Sequence, residues 1–569
     1  MTDVILILLL VLLLAWPLGG YLARVFSGER TLLDFLAPLE QGIYRLLGVN
    51  PERGMDWRGY AKALLGSNLL LALAAYGVLV LQGKLPLNPD GVPSMSWHLA
   101  LHTVASFITN TNQQHYSGQA QLSYLAQMLS ITALQLITPA AGLATLVAIL
   151  RALRPPAGRK AGDLGNYYVD VTRALTRVLI PLSVAWALLL TWQGVPSTFS
   201  GAKVAELLEP QTLTVEGKPQ TVREQVIPVG PVAAMVAIKQ LGTNGGGWYG
   251  PNSAFPLENP TPFSNLLETV ALVLLPVAQV FMIGHLLRNL AFARLVFGVM
   301  AAFSVLFIAL ILPMEQAPNP AFAQLAAPGP NWEGKELRLG PLPSALWATL
   351  TTQTSNGSVN AMHDSLQPLS ILIALVDMFI NATWGGVGVG AINFLLYVVL
   401  AVFIAGLMVG RTPELFGKKL EAREIKLASI AILLQPLLVL VPTALALGSG
   451  LANNSNPGFH GLSQVLYEYT SAYANNGSGL AGLGNTTVWW NLSCAVVLIL
   501  ARYIPMIAPL AIAAFLAAKR TAPQTVGTLR TETPTFGLTV FSIIVIVQGL
   551  NFFPYLILGP IAEQLVGVR

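Results

Sequence analysis

Four short stretches of the chain combine small polar residues, asparagine and, in three of the four, glycine. They read ITNTNQQ (108–114), LGTNGGG (241–247), QTSNGSV (353–359) and AYANNGSG (472–479), and are named Asn loops 1 to 4. Glycine lets backbone adopt left-handed or extended conformations, so that successive carbonyl groups can turn toward one axis. Four such loops around a common axis would form a ring of carbonyl dipoles that can replace the hydration shell of a cation.

Aligned on asparagine, the Asn loops predict a ring of cation ligands. The predicted residues are Thr111, Asn112, Gln113 and Gln114 in Asn loop 1; Thr243, Asn244, Gly245 and Gly246 in Asn loop 2; Ser355, Asn356 and Gly357 in Asn loop 3; and Asn475, Asn476 and Gly477 in Asn loop 4. Threonine and serine hydroxyls add acceptors, and no carboxylate accompanies the motif. A ring that selects by dipoles rather than by fixed charge suits a weakly hydrated monovalent ion, so potassium is the only metal we expect.

A single Asn-Gly pair is usually a surface turn, and Asn356 and Asn476 also fit the permissive N-x-S/T glycosylation pattern. The four Asn loops, however, share their surroundings. A hydrophobic segment and a short amphipathic segment precede each loop, and another hydrophobic segment comes after it. This recurrence favours a four-fold internal repeat over four unrelated turns.

The composition indicates an integral membrane protein. Of 569 residues, 54% are hydrophobic and 10% are charged, whereas soluble domains carry about a quarter charged residues. Ten segments are long and apolar enough to cross a bilayer: 3–24, 61–83, 122–150, 172–194, 264–287, 293–313, 366–410, 427–449, 486–517 and 535–558.

We therefore predict an all-α polytopic membrane protein with ten transmembrane helices. Four span–loop–span repeats would surround a pseudo-four-fold axis, with one extra helix at each end. The predicted units are 1–60 (extra first helix and cytoplasmic loop), 61–150 (repeat 1), 172–287 (repeat 2), 293–410 (repeat 3, with a broken helix), 427–518 (repeat 4) and 535–569 (extra last helix).

Lysine and arginine alternate along the connections. The connections after segments 1, 3, 5, 7 and 9 are basic, whereas 450–485 contains neither residue. The positive-inside rule then places the basic connections in the cytoplasm and both termini on the outer face. No cytoplasmic connection is long enough for a nucleotide-binding domain. A membrane-embedded enzyme would need a catalytic constellation, and the sequence contains no Walker A loop, no Asp-Lys-Thr-Gly-Thr motif and no intramembrane His/Asp/Glu cluster at helical spacing. We expect no catalytic residue and no nucleotide in this chain.

The stretches NTNQQHYSG, QLGTNGGG, TSNGSVNAM, ANNGSGLAG and FIAGLMVGRTPELFGKK resemble the KdpA family, the potassium-binding subunits of bacterial Kdp ATPases within the superfamily of potassium transporters. The resemblance extends over essentially the whole chain; one departure is Gln113, where the family pattern has an aromatic residue. It implies high-affinity potassium uptake through the bacterial inner membrane, with the partners KdpB (which hydrolyses ATP), KdpC and KdpF. It also implies an intramembrane tunnel to KdpB, and no nucleic acid. A stand-alone, gradient-driven potassium transporter of the same architecture is the alternative.

Segment 366–410 would be about 68 Å long as one helix at 1.5 Å per residue, about twice the thickness of the hydrocarbon core. The sequence WGGVGVG (384–390) predicts a break, through Gly385, Gly386, Gly388 and Gly390. Close helix packing is the other explanation for these glycines. The resemblance implies a gating loop here, which a pump subunit needs to prevent backflow.

Several charged or polar residues are further candidates. Arg502 lies well inside segment 9 and Asp377 inside segment 7, and intramembrane charge is costly unless it is functional. The resemblance places such an arginine below the filter and makes Asn381 and Asp377 weaker candidates for lining the tunnel. It also makes the connection 410–426, with Arg411, Lys418 and Lys419, a predicted contact with the ATP-hydrolysing subunit. His98 and His102 stand one helical turn apart, but no third ligand accompanies them, so we do not expect a zinc site.

Overall fold

Ten membrane-crossing helices form the body of the protein. The computed structural model describes residues 2–154, 162–215, 218–319, 329–521 and 530–566. Within these ranges ten helices are long and apolar enough to span a membrane, which confirms the predicted number. They are named spans 1 to 10: Thr2–Ser27, Trp57–Lys84, Tyr124–Leu153, Tyr167–Trp192, Pro262–Leu286, Leu290–Gln316, Val389–Met408, Ala422–Gly448, Val488–Ala517 and Pro534–Val566. Residues 320–328 of predicted repeat 3 and 567–569 of the predicted last unit lie outside the described residues.

Span 7 is the second half of the broken segment. A shorter helix, Pro368–Ile380, ends where Asn381 adopts a left-handed conformation (φ 45°), and span 7 begins after Gly388 (φ 80°). The break therefore covers 381–388, three residues earlier than predicted at its start, and Gly390 lies inside span 7. The segment 381–388 is named the break segment.

Four short helices end at the four Asn loops. They are named half-helices 1 to 4: Trp97–Ile108, Val232–Leu241, Pro341–Gln353 and Gly458–Ala474. Their residues are mostly buried although they are too short to cross a bilayer. Other protein elements surround these half-helices, so helices too short to span a bilayer are tolerated here within a membrane protein.

The spans divide into an inner and an outer set. Spans 3 and 5 are mostly buried inside the protein, whereas only 28% and 22% of the apolar stretches of spans 1 and 2 are buried. Span 2 presents Leu69, Leu70 and Leu73 outward, each more than half exposed, as expected for a helix that faces lipid. Span 1 packs closely on span 5, because a Cβ added to Gly19 would lie 2.5 Å from Phe281 Cβ.

Two hairpins interrupt the helical pattern. An antiparallel hairpin pairs β1 (Lys203–Val215) with β2 (Lys218–Ile227) between span 4 and half-helix 2. A two-residue pairing joins β3 (Glu414–Leu415) to β4 (Lys418–Lys419) between spans 7 and 8. Neither hairpin was predicted from the sequence, and neither changes the arrangement of the spans.

Candidate functional site

The four Asn loops meet in a closed ring. A Cβ added to Gly245 would lie 1.9 Å from the main-chain oxygen of Asn356, and one added to Gly357 would lie 1.9 Å from that of Asn476. A Cβ added to Gly477 would lie 2.3 Å from the main-chain oxygen of Thr111. Asn loop 1 in turn reaches Asn loop 2, since Asn110 Nδ2 donates to Thr243 O at 3.1 Å. Each loop therefore touches the next around one centre.

The backbone shows which residues are equivalent in the four Asn loops. One amide in each loop donates to the main-chain oxygen five residues earlier, at about the same distance: Thr111 to Ser106, Asn244 to Lys239, Asn356 to Thr351 and Asn476 to Ser471. The residue before each of these is left-handed: Asn110, Thr243, Ser355 and Asn475. Thr111, and not Asn112, therefore matches the three asparagines, and the predicted alignment of Asn loop 1 is wrong by one residue.

The correction places Asn112 at the glycine position. Gly245, Gly357 and Gly477 have φ values of 81°, 84° and 104°, and Asn112 has 57°. Asparagine is one of the few residues other than glycine that tolerates this region. The next position holds Gln113 and Gly246, and holds Ser358 and Ser478 in Asn loops 3 and 4.

Four equivalent main-chain oxygens have no hydrogen-bond partner among the described residues. Thr111, Asn244, Asn356 and Asn476 are fully buried, and within the described ranges no group donates a hydrogen bond to their main-chain oxygens. Buried carbonyl groups are nearly always satisfied, because leaving them bare costs free energy. A dehydrated cation at the centre of the ring would supply the missing partner, so the residues present fit such an ion.

The break segment lies at the inner end of the ring. Val387 N donates to Thr243 Oγ1 (3.0 Å), Gly385 N donates to Gln353 O (2.8 Å), and Ser355 Oγ donates to Asn381 Oδ1 (2.8 Å). These bonds join the break segment to Asn loops 2 and 3 at one end of the ring.

Arg502 lies beside the break segment. A Cβ added to Gly142 would lie 2.5 Å from Val387 O and 3.3 Å from Arg502 Nη2, so these groups are neighbours. The Arg502 side chain is buried, and among the described residues no carboxylate pairs with it and no hydrogen bond to it is formed. An unpaired buried cation at this place repels a second cation that approaches from the ring.

The structure places the two other intramembrane candidates, Asn381 and Asp377, in different surroundings. Asn381 and Asn475 line a cavity of about 30 Å³ between the break segment and spans 7, 8 and 9. Asp377 does not line this cavity; it is buried against half-helix 3 and accepts hydrogen bonds from Thr349 Oγ1 (3.0 Å) and Thr352 Oγ1 (3.2 Å). Asp377 therefore supports half-helix 3 instead of lining this cavity.

The predicted partner-contact residues also separate. Lys418 Nζ donates to Leu516 O (2.9 Å) and Ala517 O (3.3 Å), which caps the end of span 9. Burial lowers the pKa of the Lys418 ammonium group. Lys418 is thus buried against span 9, and the side chains of Arg411 and Lys419 are exposed on the same connection.

Two buried charged clusters behind the ring were not predicted as site residues. Behind Asn loop 2, Lys239 Nζ donates to Ser253 Oγ (2.6 Å) and to a carboxylate oxygen of Glu258. Behind Asn loop 1, Glu468 pairs with His115. The partners in this second pair are far apart in the chain, so no local spacing indicates it. His98 and His102 belong to its surroundings: His102 stacks on His115 with ring centroids 3.7 Å apart.

Comparisons with known proteins agree with this architecture. The family model described as "Potassium-transporting ATPase A subunit" (KdpA) matches residues 5–565. A potassium-transporting ATPase potassium-binding subunit of Gloeobacter violaceus is 50% identical, over 97% of this chain and 95% of its own. The corresponding subunit of Alicyclobacillus acidocaldarius is 48% identical, over 99% and 98%. The potassium transporter TrkH from Vibrio parahaemolyticus, at 15% identity, shares the fold with a TM-score of 0.50 over 89% of this chain and 98% of its own. The chain therefore belongs to the KdpA family of potassium-transporting ATPase A subunits.

Proposed function

We propose that this chain is the potassium-binding subunit of a high-affinity, ATP-driven potassium uptake system. Potassium enters from the outer side and is held in the ring of Asn loops. The observation that carries the proposal is the set of four buried, equivalent main-chain oxygens at Thr111, Asn244, Asn356 and Asn476, none of which accepts a hydrogen bond from a described residue. These oxygens can replace the hydration shell of an alkali ion without any fixed negative charge.

The ring is expected to load potassium without letting it pass straight through. The break segment stands at the inner end of the ring, bonded to Thr243 and Ser355. The positive charge of Arg502 beside it opposes movement toward the cytoplasm. The cavity next to Asn381 and Asn475 offers a sideways start for a tunnel to the ATP-hydrolysing subunit. In this arrangement the ring selects the ion, and the ATPase drives its transport.

The partners and membrane placement are part of the same proposal. Family membership supports a complex with an ATP-hydrolysing subunit, for which the resemblance supplies KdpB, together with KdpC and KdpF. Exposed Arg411 and Lys419 are the candidates for contact with KdpB. We place the chain in the bacterial inner membrane with both termini on the outer face, divided into the four repeats and two end units predicted from the sequence. Relatives named as ATPase subunits favour this function over a stand-alone transporter.

The test uses membranes that contain this chain co-expressed with its ATPase partners. Potassium, and not sodium, should stimulate ATP hydrolysis, and a larger ATPase chain should co-purify with this one. Potassium uptake by this chain without an ATPase partner, driven by an ion gradient, would instead support the stand-alone transporter. Equal stimulation by sodium and potassium would contradict the potassium ring.

A further inference from the structure

Neighbouring Asn loops are tied together by a repeated hydrogen bond. Asn356 Nδ2 donates to Lys239 O on half-helix 2 (3.1 Å), and Asn476 Nδ2 donates to Thr351 O on half-helix 3 (2.8 Å). Lys239 and Thr351 are equivalent residues, since each also accepts the amide hydrogen bond from its own Asn loop. The asparagine of Asn loop 3 therefore fixes its loop to half-helix 2, and that of Asn loop 4 fixes its loop to half-helix 3.

Asn loop 1 cannot make this bond, because Thr111 occupies the asparagine position and has no side-chain amide. Asn475 Nδ2 does donate to Thr111 Oγ1 (3.0 Å), but this joins only the inner residues of loops 1 and 4. The link to half-helix 4 is made two residues later. Gln113 Nε2 donates to Glu468 Oε1 (2.7 Å) and Glu468 O (3.3 Å), and Glu468 lies on half-helix 4.

Glu468 is itself held by a second residue of the same stretch. His115 places Nε2 3.1 Å from Glu468 Oε1 and Nδ1 2.7 Å from Asn491 Oδ1. Asn491 Nδ2 lies 2.7 Å from His98 Nδ1, which fixes Asn491 Oδ1 as the acceptor toward His115. Both ring nitrogens of His115 thus lie within hydrogen-bond distance of acceptors. The two partners Glu468 and His115 are buried, with both side chains at most 3% exposed.

The other end of Gln113 is fixed as well. Its Oε1 lies 3.3 Å from His102 Nε2, and its main-chain oxygen accepts a hydrogen bond from Ser106 Oγ (2.9 Å). Half-helix 1 and half-helix 4 therefore hold Gln113 from two sides. The residue after the glycine position in Asn loop 1 has little freedom to move relative to the ring.

We propose that Glu468, oriented by His115, is a positioning residue for ion selectivity. It supplies, through Gln113, the tie between Asn loop 1 and half-helix 4 that asparagine supplies in Asn loops 3 and 4. This rests on the proposed function of the ring. Without the tie, the main-chain oxygen of Thr111 shifts relative to its three equivalents, and the ring loses its fit to one size of ion.

The test compares Glu468→Ala, Glu468→Gln and Gln464→Ala in the assembled ATPase complex, with potassium and sodium as the probes. Gln464 is the matched control, because it is a buried residue of the same half-helix whose bonds go to Ser455 Oγ and Ala481 O. Glu468→Ala should raise the half-saturating potassium concentration about tenfold, the size expected when a buried hydrogen bond to a charged group is lost. The same variant should also reduce the preference for potassium over sodium. Glu468→Gln keeps an acceptor for Gln113 and should stay close to the parent chain, as should Gln464→Ala.

Two further variants keep the proposal testable if Glu468→Ala fails to assemble. Gln113→Ala should reproduce the change in half-saturation, because it removes the other end of the same tie. Thr111→Asn, which restores the asparagine of the other loops, should partly rescue potassium preference in Gln113→Ala.

The outcomes separate this inference from the proposed function. If Gln113→Ala and Glu468→Ala lower only the yield or the maximal rate, as a general packing defect does, and leave half-saturation and ion preference unchanged, the inference is overturned. If the parent complex itself shows no potassium stimulation, the proposed function fails first. Potassium stimulation in the parent chain together with altered ion preference in Glu468→Ala supports both.

Discussion

Asn loops 3 and 4 are braced by the side chain of their own asparagine, whereas Asn loops 1 and 2 are braced mainly by charged or polar residues outside the loop. In loops 3 and 4 the asparagine side chain accepts a hydrogen bond from the amide two residues later, Ser358 N (2.9 Å) or Ser478 N (3.0 Å), while its Nδ2 reaches the preceding half-helix. The consecutive asparagine, glycine and serine therefore provide most of the contacts that fix the backbone of each of these two loops.

Asn loop 2 has the same asparagine but uses it differently. Asn244 Nδ2 donates to Asn110 Oδ1, and Asn244 Oδ1 accepts no hydrogen bond from the described residues. The brace comes instead from Asn252, whose Nδ2 donates to Gly245 O (2.6 Å) while its Oδ1 accepts from Lys239 Nζ (2.8 Å). A buried charged cluster thus orients the main chain of loop 2, as the Glu468–His115 pair does for loop 1.

The ring is therefore four-fold in its main chain and not in its side chains. Four equivalent oxygens require four equivalent backbones, and several sets of contacts can impose the same backbone. The comparison predicts that variants of Gly245, Gly357 and Gly477 have similar effects on Asn loops 2 to 4, and that variants of the asparagines do not.

The largest effect is expected from Gly357→Asp. A Cβ at this position would lie 1.9 Å from Asn476 O, and the residue has φ 84°, so bulk, strain and a negative charge enter the ring together. The half-saturating potassium concentration for ATP hydrolysis should rise at least about a hundredfold, or stimulation should vanish, because a clash with main-chain atoms cannot be relieved by a rotamer change.

Gly245→Asp should behave in the same way, because its Cβ would meet Asn356 O at the same distance. Gly77→Ala is the matched control, since a Cβ there meets no atom within 4 Å. Unchanged half-saturation in both aspartate variants would contradict the role of the ring.

A smaller and unequal effect is expected from the asparagines. Asn356→Ala and Asn476→Ala each remove the local brace and the tie to the neighbouring half-helix, which should raise the half-saturating potassium concentration about tenfold. Asn244→Ala removes a single bond to Asn110 and should change it less than the other two. Potassium titration of ATP hydrolysis measures all three. Equal effects at the three positions would contradict the distinction between loops braced by their own asparagine and loops braced by other residues.

Arg502→Ala should leave the ring intact and weaken the coupling between potassium transport and ATP hydrolysis. Arg502 lies beside the break segment and donates no hydrogen bond to the Asn loops, so half-saturation should stay within about twofold of the parent value. Removing its charge lowers the electrostatic barrier to inward leakage, and more ATP should be hydrolysed per potassium transported. Arg502→Lys keeps the charge and serves as the control. An identical coupling ratio in Arg502→Ala would reduce the arginine to a packing residue.

The smallest effect is expected from His460, near the start of half-helix 4. His460 Nε2 bonds to Asp364 (2.9 Å), and its Nδ1 bonds to Glu563 (2.8 Å). Burial alone would lower the pKa of His460, but the two hydrogen-bonded carboxylates outweigh it and raise the pKa to about 10. Because the folded pKa lies above the unfolded value, near 6.5, the stabilisation is complete below about pH 6.5 and is lost as pH rises toward 10.

His460→Gln should therefore lower the free energy of unfolding by about 2 kcal/mol at pH 6. This value lies between the contributions of exposed and of buried ion pairs. Melting temperatures of the parent and variant complexes should converge as the pH approaches 10. A constant difference between them from pH 6 to pH 10 would show that the charge on His460 contributes nothing.

The sequence predicts the number of spans and the broken segment well, because both depend on local patterns of residue type. Apolar length gives the ten spans, and the glycine-rich stretch within an overlong segment gives the break. The start of the break was not predicted, since the helix ends at Asn381, which is left-handed and accepts a hydrogen bond from the distant Ser355 Oγ. The ring itself is expected from four recurring motifs, and its role in binding potassium stays a prediction.

The parts that could not be predicted depend on contacts across the chain. The motif NTN suggests that one of its asparagines aligns with Asn244, and only the amide hydrogen bond of Thr111 to Ser106 shows that the threonine between them does. In the sequence Lys418 looks like any other basic residue of a connection. Only the fold shows that the last carbonyl groups of span 9 lie beside it. Gln113 and Glu468 are 355 residues apart, so no spacing argument joins them.

The most direct test is to locate the ion. A structure of the assembled complex should be determined with rubidium or thallium in place of potassium, using anomalous scattering to identify the heavier ion. If the Asn loops hold the ion, a peak should lie within coordination distance of the main-chain oxygens of Thr111, Asn244, Asn356 and Asn476. No peak among these oxygens at a saturating ion concentration, or a peak only elsewhere in the chain, would contradict a potassium site in the ring.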